Sequence, residues 1–244
     1  MTMSEIKFSI GTWISIPDNA LAEILAKAGY EWVVVDLEHT AIGIETAADL
    51  IRVIDLAGSK PLVRLSDHSS SQIKRVLDAG ARGIIAPMVE TKAQGSNILE
   101  SCFYPPKGKR GMGLSRAQGY GVKALRDNYI NELADDVEVY FQIESSAAIK
   151  NINEIFSLPI NGYFIGPYDL SASLNDPGNF TSDLFKNSEA KVMQAAKDKG
   201  IHCGYHLVEP EIDELSALKE QGYSMIAFSV DFRMIDVIAR KPFE

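Results

Sequence analysis

The sequence predicts an α/β fold, a single (β/α)8 barrel over residues 1–244. Three observations support this prediction. The length of 244 residues is typical of one such barrel. A short apolar run followed by a helical pattern recurs about eight times, as in successive βαβ units of a parallel sheet. The apolar runs are mostly β-branched or aromatic, which is expected of strands that are buried on both faces.

The first four strand–helix units follow this pattern in order. The strands are expected at FSIGTW (8–13), WVVVDL (32–37), PLVRL (61–65) and GIIAPM (83–88). Asp18 is placed to cap a helix that ends at Gly29, and Ser69 or Ser70 is placed to begin one that ends at Gly80. A short polar residue at the start and a glycine at the end are the usual boundaries of a helix.

The second half contains one irregularity. Residues 101–136 form a long insertion between the fourth and fifth strands, and loops of this length in a compact domain are usually functional or disordered. The remaining strands are expected at VYFQIE (139–144), GYFIG (162–166), IHCGY (201–205) and MIAFS (225–229), with a helix over 186–199 that ends at Gly200. A doubly wound open sheet is the alternative, but the sequence lacks the G-x-G-x-x-G after the first strand that is typical of its dinucleotide-binding form.

Composition excludes several classes of protein. A net charge of −9 repels phosphate backbones, so we expect no nucleic-acid partner, although local cations can still attract a small anion. No apolar run approaches the roughly 20 residues of a membrane helix, and the N-terminal residues lack the pattern of a secretory signal. Two distant cysteines suggest neither a disulfide framework nor a thiolate metal site. We therefore expect a cytoplasmic protein without a membrane partner.

Ionisable residues cluster where the predicted strands end, which is the rim that carries the chemistry in barrels of this kind. Glu144 and Asp169 follow consecutive strands and are placed to converge on one cation. Two carboxylates with water suit a hard octahedral ion such as Mg2+ or Mn2+. The alternative interpretation is that each residue caps the helix that follows it.

Three further residues at this rim are candidates for catalysis. His39 stands three residues after Asp36 and beside Glu38, and an imidazole with a carboxylate neighbour can act as a general base near neutral pH. Spacing alone does not separate His39 strongly from His68 beside Asp67 or from His206 near Glu209. The alternative is a histidine in a surface loop. Arg64 lies in an otherwise apolar strand, where its guanidinium needs a partner. That partner is either a substrate carboxylate or oxo group, or a neighbouring acid such as Asp36.

These residues stand in motifs that resemble the HpcH/HpaI aldolase family, the metal-dependent class II pyruvate aldolases. The similarity extends from about Gly11 to Asp231. It rests on the segments GTWISIPDNALAEILAKAGYEWVVVDLEH, PLVRL, IKRVLDAGARGIIAPMV, YPPKGKRGMG, FQIES and FIGPYDLSASL, which are ordered and spaced as in the family.

The resemblance implies a TIM-barrel carbon–carbon lyase that cleaves or forms 4-hydroxy-2-oxo-acids, with pyruvate and an aldehyde as partners in the reaction. It implies a divalent metal, Mg2+ or Mn2+ before Co2+ or Zn2+, and a metal-stabilised pyruvate enolate. A thioester lyase of the citrate-lyase type, an oxo-acid decarboxylase and a non-catalytic barrel that binds metal and oxo-acid remain alternatives. A Schiff-base mechanism is disfavoured because no lysine lies within an apolar strand.

The resemblance also implies a role for each motif residue. Glu144 and Asp169 correspond to metal ligands, His39 to the base, Asp36 to the acid that positions it, and Arg64 to the arginine that polarises the pyruvate carbonyl. Gln142, Gly166 and Pro167 correspond to contacts with the oxo-acid, and Trp13 to a wall of the pocket. Asp78 corresponds to a residue that reaches the base of a neighbouring subunit in a homo-oligomer, usually a hexamer, whose last helix is often exchanged between subunits.

The sequence departs from the family in three places. These are the segment LSRAQGYG after RGMG, the strand-seven segment CGYHLVEP, and Ser229 where relatives commonly have glycine. In the family these segments line the aldehyde side of the site, so the identity of the aldehyde is open.

Overall fold

The computed structural model describes residues 6–244 and shows a closed barrel of eight parallel strands. Each strand pairs with the next along the chain, and the last pairs with the first. The predicted fold class is confirmed. The strands are β1 (Ser9–Ile14), β2 (Trp32–Asp36), β3 (Lys60–Arg64), β4 (Gly83–Ala86), β5 (Glu138–Ile143), β6 (Gly162–Ile165), β7 (His202–Leu207) and β8 (Met225–Val230).

Helices surround the barrel. They are α1 (Asn19–Lys27), α2 (Ile44–Leu56), α3 (Ser70–Asp78), α4 (Lys92–Cys102), α5 (Lys123–Asn131), α6 (Ser146–Lys150), α7 (Ile152–Ile155), α8 (Pro167–Ser173), α9 (Asp183–Lys199), α10 (Ile212–Gln221) and α11 (Asp231–Arg240), with 3-10 turns at Gly119–Gly121, Leu133–Asp136 and Lys241–Phe243. Every helix within residues 6–244 is too short or too polar to span a bilayer.

Local side chains explain the helix boundaries. The Asp18 carboxylate accepts a hydrogen bond of 2.9 Å from the Leu21 amide and begins α1 as predicted. Ser69 occupies the predicted N-cap position of α3, but its hydroxyl makes no capping hydrogen bond. Helix α9 begins at Asp183 rather than at 186, because the Ser182 hydroxyl already caps the backbone there. It ends as predicted at Gly200, whose φ of 66° favours glycine.

The two faces of the strands bury two different cores. Side chains of one parity fill the barrel, for example Trp32, Val34 and Leu62, whereas Val33 and Val35 pack against the surrounding helices. Because side chains alternate along a strand, the inward face continues to the polar residues at the strand ends. The folding of an apolar barrel therefore also places a ring of polar groups at its carboxyl-terminal mouth.

The insertion at 101–136 is largely packed against the barrel. Arg110 is buried, and its guanidinium donates to Asp78 Oδ1 at 2.6 Å and to the Tyr129 hydroxyl at 3.1 Å. Tyr104 packs edge-on against Tyr129, and its hydroxyl accepts a hydrogen bond from Gln118. These five side chains form what we call the insertion cluster, which holds the segment against α3.

Candidate active site

A cavity of about 370 Å³ opens at the carboxyl-terminal ends of the strands, where barrel active sites lie. It contains most of the residues singled out from the sequence. The predicted residues that line it are Trp13, Asp36, His39, Arg64, Gln142, Gly166, Pro167 and Asp169. Glu144 borders these residues from the end of β5, whereas Asp78 lies elsewhere.

A buried ion pair joins two neighbouring strands at the cavity. Arg64 and Asp36 are register partners on β3 and β2, and the guanidinium donates to both carboxylate oxygens at 2.8 and 2.7 Å. Burial alone would raise the pKa of Asp36, but the hydrogen bonds and charge of Arg64 outweigh it and lower that pKa. Both interpretations of Arg64 are therefore compatible, because it has an acidic partner and also lines the cavity.

Glu38, rather than Asp36, is the carboxylate beside the His39 ring. Glu38 Oε2 lies 3.7 Å from His39 Nε2 and 3.2 Å from Arg64 Nη1. Burial, together with the charges of Asp36 and Asp169, raises the pKa of Glu38 to about 7, against the opposing effect of Arg64. Both oxygens of Asp36 bind Arg64, and Asp36 contacts His39 only through the backbone, where its Oδ1 accepts a hydrogen bond of 3.4 Å from the His39 amide. Asp36 thus orients the His39 segment through the backbone in this chain.

Glu144 is held rigidly below the cavity. It is 2 % exposed, and its Oε1 accepts a 2.6 Å hydrogen bond from the Met88 amide, while Oε2 accepts from the Gln142 amide. Met88 has a φ of 48°, a strained conformation that is typical of functional sites. Burial and then the charges of Glu38 and Asp169 raise the pKa of Glu144 to about 7.

The interpretation of Glu144 and Asp169 as helix caps is wrong. Ser145 caps α6 with its hydroxyl, and Gly166 occupies the N-cap of α8, so that Asp169 lies inside the first turn. Neither carboxylate is therefore needed to begin a helix. Helix capping therefore does not compete with a ligand for either carboxylate.

The donor set fits a hard divalent cation. The negative charges of Glu38 and Asp169 disfavour ionisation of Glu144, which is the effect expected where a cation would balance like charges. A Cβ at position 166 would lie 2.6 Å from Glu144 Oε2, so Gly166 leaves open the space beside this oxygen. Within residues 6–244 no three or more His, Cys, Asp or Glu residues form a complete ligand set. Two carboxylates leave places for water and substrate oxygens, as Mg2+ requires.

The sequence assigned no substrate contact to the residues beside Trp13, although it marked the segment CGYHLVEP as a departure from the family. The Trp13 ring has the Arg64 guanidinium 4.4 Å from its centroid and the His206 ring centroid at 5.0 Å. His206 is the third of the alternate positions 202, 204 and 206 on β7, a periodicity that would have indicated an inward side chain. Further lining residues that were missed are Ser15, Phe164, Tyr168, Val208, Val230 and Phe232.

Asp78 does not take part in the cavity of its own chain. It is the last residue of α3, on the opposite rim of the barrel, where it pairs with Arg110. Its reach into a neighbouring subunit stays a prediction.

The basic tract of the insertion does not form the cationic groove that a coenzyme A substrate would need. Its cations are paired with acids of the same chain instead, through the pairs Lys107–Asp135, Lys109–Glu100, Arg110–Asp78 and Arg116–Asp55. Arg110 and Arg116 are therefore structural residues of the insertion.

Comparison with known proteins points in the same direction as this geometry. The family model of HpcH/HpaI aldolase/citrate lyase matches residues 9–236. The hydroxypyruvate/pyruvate aldolase of Roseobacter denitrificans is 31% identical over 96% of this chain and 91% of its own length. The 2-keto-3-deoxy-L-rhamnonate aldolase of Escherichia coli is 33% identical over 91% and 82%. A crystal structure of an HpcH/HpaI aldolase/citrate lyase family protein from Burkholderia cenocepacia has a TM-score of 0.92 at 29% identity, covering 99% of this chain and 95% of that one.

Proposed function

The chain belongs to the HpcH/HpaI aldolase/citrate lyase family and is a carbon–carbon lyase of the class II pyruvate aldolase type, and we propose that its cavity cleaves or forms 4-hydroxy-2-oxo-acids. The substrates are a small oxo-acid and an aldehyde. The observation that carries the proposal is the placement of two carboxylates that are free of capping roles, Glu144 and Asp169, around the same cavity as Arg64.

The family implies a divalent metal, and Glu144 and Asp169 are the residues that would hold it. Their all-oxygen chemistry favours Mg2+ or Mn2+ over Co2+ or Zn2+. When bound, such an ion supplies Lewis-acid polarisation of the substrate oxygens.

The remaining side chains divide the work of binding and proton transfer. Arg64 faces the cavity while Asp36 fixes its orientation, so that its charge stabilises the enolate oxygen as the C3–C4 bond breaks. Gln142, Gly166 and Pro167 shape the end that receives the oxo-acid. His39, with 61% of its side chain exposed, lies where solvent reaches the cavity and accepts the proton of the 4-hydroxyl group.

We also propose that the enzyme is a homo-oligomer, a hexamer by resemblance to its family. Helix α11 carries an apolar face that this chain leaves uncovered, with Phe232, Ile235 and Ile238 each about half exposed or more. Exchange of this helix between subunits would bury the face. By the same family resemblance, Asp78 would reach the base of a neighbouring subunit. Sedimentation of the purified protein measures the assembly directly.

The test combines metal binding with turnover. Metal-free protein is titrated with Mn2+ by electron paramagnetic resonance, and then assayed with pyruvate and a panel of aldehydes in the presence and absence of EDTA. Glu144→Gln and Asp169→Asn are each expected to weaken Mn2+ binding at least about tenfold and to abolish turnover, because each removes one of two charged ligands. Glu220→Gln, an exposed change on α10, serves as the matched control.

Wild-type Mn2+ affinity in both cavity variants would contradict the assignment of the ligands. Borohydride trapping with pyruvate is expected to leave the protein unmodified, and a covalent adduct would establish a Schiff-base mechanism instead.

A further inference from the structure

A histidine in the wall of the cavity has no part in the reaction described above. His206 lies near the end of β7, and its ring packs on Trp13 with the two planes inclined by 31°. The Arg64 guanidinium lies over the same indole. Trp13 thus connects His206 to the end of the cavity that receives the oxo-acid, and places the imidazole beside any substituent that extends from it.

The His206 ring is an uncharged hydrogen-bonding group at neutral pH. Burial, followed by the charge of Arg64, lowers the pKa of His206 to about 3, against weaker opposing effects of a hydrogen bond to the Ser229 backbone and of the Asp36 charge. A neutral imidazole offers one N–H donor and one acceptor nitrogen. It can therefore recognise a neutral hydroxyl group but does not attract a carboxylate.

Polar groups in this wall have unused hydrogen-bonding capacity. His206 Nε2 and Trp13 Nε1 are buried without a hydrogen-bond partner among the residues that the structure describes, and both residues line the cavity. An unpaired buried polar atom costs about 1–3 kcal/mol, and most such atoms in proteins have partners. The neighbouring lining side chains Phe164, Val208 and Val230 are apolar and supply none.

The backbone around the ring is built to hold it in place. Ser229 is fully buried in the left-handed region with a φ of 57°, where the pairing of β8 with β1 shifts register. Its hydroxyl donates to the Val208 carbonyl at 2.8 Å and so ties the end of β8 to the end of β7. Register shifts of this kind redirect side chains next to active sites. A strained and anchored wall is expected where the position of a side chain matters for a ligand.

We propose that His206 is a specificity-determining residue whose neutral ring hydrogen-bonds a hydroxyl group of the substrate on the Trp13 side of the cavity. The inference rests on the proposed aldolase function and adds a substrate class, namely compounds with a hydroxyl group beyond the reacting atoms. That hydroxyl group belongs either to the oxo-acid or to the aldehyde. A site built to bind a hydroxyl group discriminates strongly against the analogue that lacks it, because its own polar groups are then left unpaired.

The experiment compares substrates that differ by one hydroxyl group. The ratio of kcat/KM is measured for hydroxypyruvate over pyruvate with one aldehyde, and for glycolaldehyde over acetaldehyde with pyruvate. His206→Phe keeps an aromatic ring on Trp13 but no hydrogen bond, and is expected to reduce one ratio about 10–100-fold. His206→Gln keeps a donor and an acceptor and is expected to retain most of that ratio. The substrate pair whose kcat/KM ratio falls in His206→Phe identifies whether the oxo-acid or the aldehyde carries the hydroxyl group.

Val208→Ala is the matched control, because it alters the same wall without removing a polar side chain, and both ratios are expected to stay near the wild-type values. Unchanged ratios in His206→Phe, or equal losses in His206→Phe and His206→Gln, would overturn the inference in favour of a packing role. Calorimetric binding of pyruvate and hydroxypyruvate to the Mn2+-loaded variants makes the same comparison without turnover. Absence of turnover in the wild type would therefore count against the proposed function alone.

Discussion

The cavity and the insertion cluster both contain a buried arginine–aspartate pair, but the charges around the two pairs differ. Around the cavity, Arg64 stands among four carboxylates, those of Asp36, Glu38, Glu144 and Asp169. In the insertion cluster, Arg110 has the single carboxylate of Asp78, and tyrosine and glutamine side chains complete its surroundings.

This difference distinguishes a functional site, the cavity, from a structural element, the insertion cluster. The side chain of Arg110 has 0% exposure and that of Arg64 has 10%, so of the two guanidinium groups Arg64 is the one open to a substrate. The insertion cluster is electrically balanced and stable as it stands. The cavity has four carboxylates for one arginine, which is costly in a folded protein unless protons, a cation or a reacting group balance their charge.

A large effect on stability is expected in the insertion cluster. Arg110→Ala removes the guanidinium from Asp78 and Tyr129 and should lower the free energy of unfolding by about 3–5 kcal/mol, since breaking one side of a buried ion pair leaves the other uncompensated. Arg126→Ala is the control, because Arg126 pairs with Asp127 at the surface and should cost about 0–1 kcal/mol. Chemical denaturation of the three proteins measures the difference. Equal stability of the two variants would remove the structural role of the cluster.

For activity, we expect the change in the cavity to have a large effect and the change in the insertion cluster to have a small one. Arg64→Ala should reduce kcat/KM for aldol cleavage about 10²–10³-fold, or roughly 3–4 kcal/mol, because the charge that stabilises the enolate is lost. Folded Arg110→Ala, assayed well below its unfolding midpoint, should retain turnover near that of the wild type. Near-wild-type turnover in Arg64→Ala, measured per folded molecule by active-fraction titration, would place the chemistry on other residues.

The fold and most of the cavity lining followed from sequence for a simple reason. Successive side chains of a barrel strand point alternately inward and outward. The polar residues at the strand ends, such as Asp36 and Arg64, therefore lie on one rim of the barrel whatever the details of packing. What the sequence could not decide depends on contacts distant in sequence. Arg64 lies 28 positions from Asp36 and binds both of its carboxylate oxygens, which leaves Glu38 as the carboxylate beside the His39 ring, and spacing along the chain does not reveal that competition.

The insertion is a second region whose long-range contacts the sequence did not predict. Its length and its Gly/Arg-rich tract indicated a functional or disordered loop, yet aromatic contacts of Tyr104 and Tyr129 pack it around Arg110. These two tyrosines are 25 positions apart, so no local pattern predicts that they meet. The sequence marked Ser229 and the segment that contains His206 as departures from the family, but it did not predict the contacts of these residues with Val208 and Trp13.

The smallest expected effect tests the charge imbalance itself. Burial and neighbouring acids raise the pKa of Glu144 to about 7, so the folded metal-free protein binds a proton that the unfolded chain releases near pH 4.5. The stabilisation from this carboxyl is then fully present below pH 4.5 and is lost as pH rises through 7, with a slope of at most about 1.4 kcal/mol per pH unit. In EDTA, the free energy of unfolding of the wild type, compared with that of Glu144→Gln, should therefore fall as the pH is raised from 4.5 to 7. Saturating Mn2+ should abolish this slope, because the carboxyl group is then ionised in the folded protein as it is in the unfolded chain. A difference between the two proteins that stays flat with pH in EDTA would mean that the cavity is as balanced as the insertion cluster.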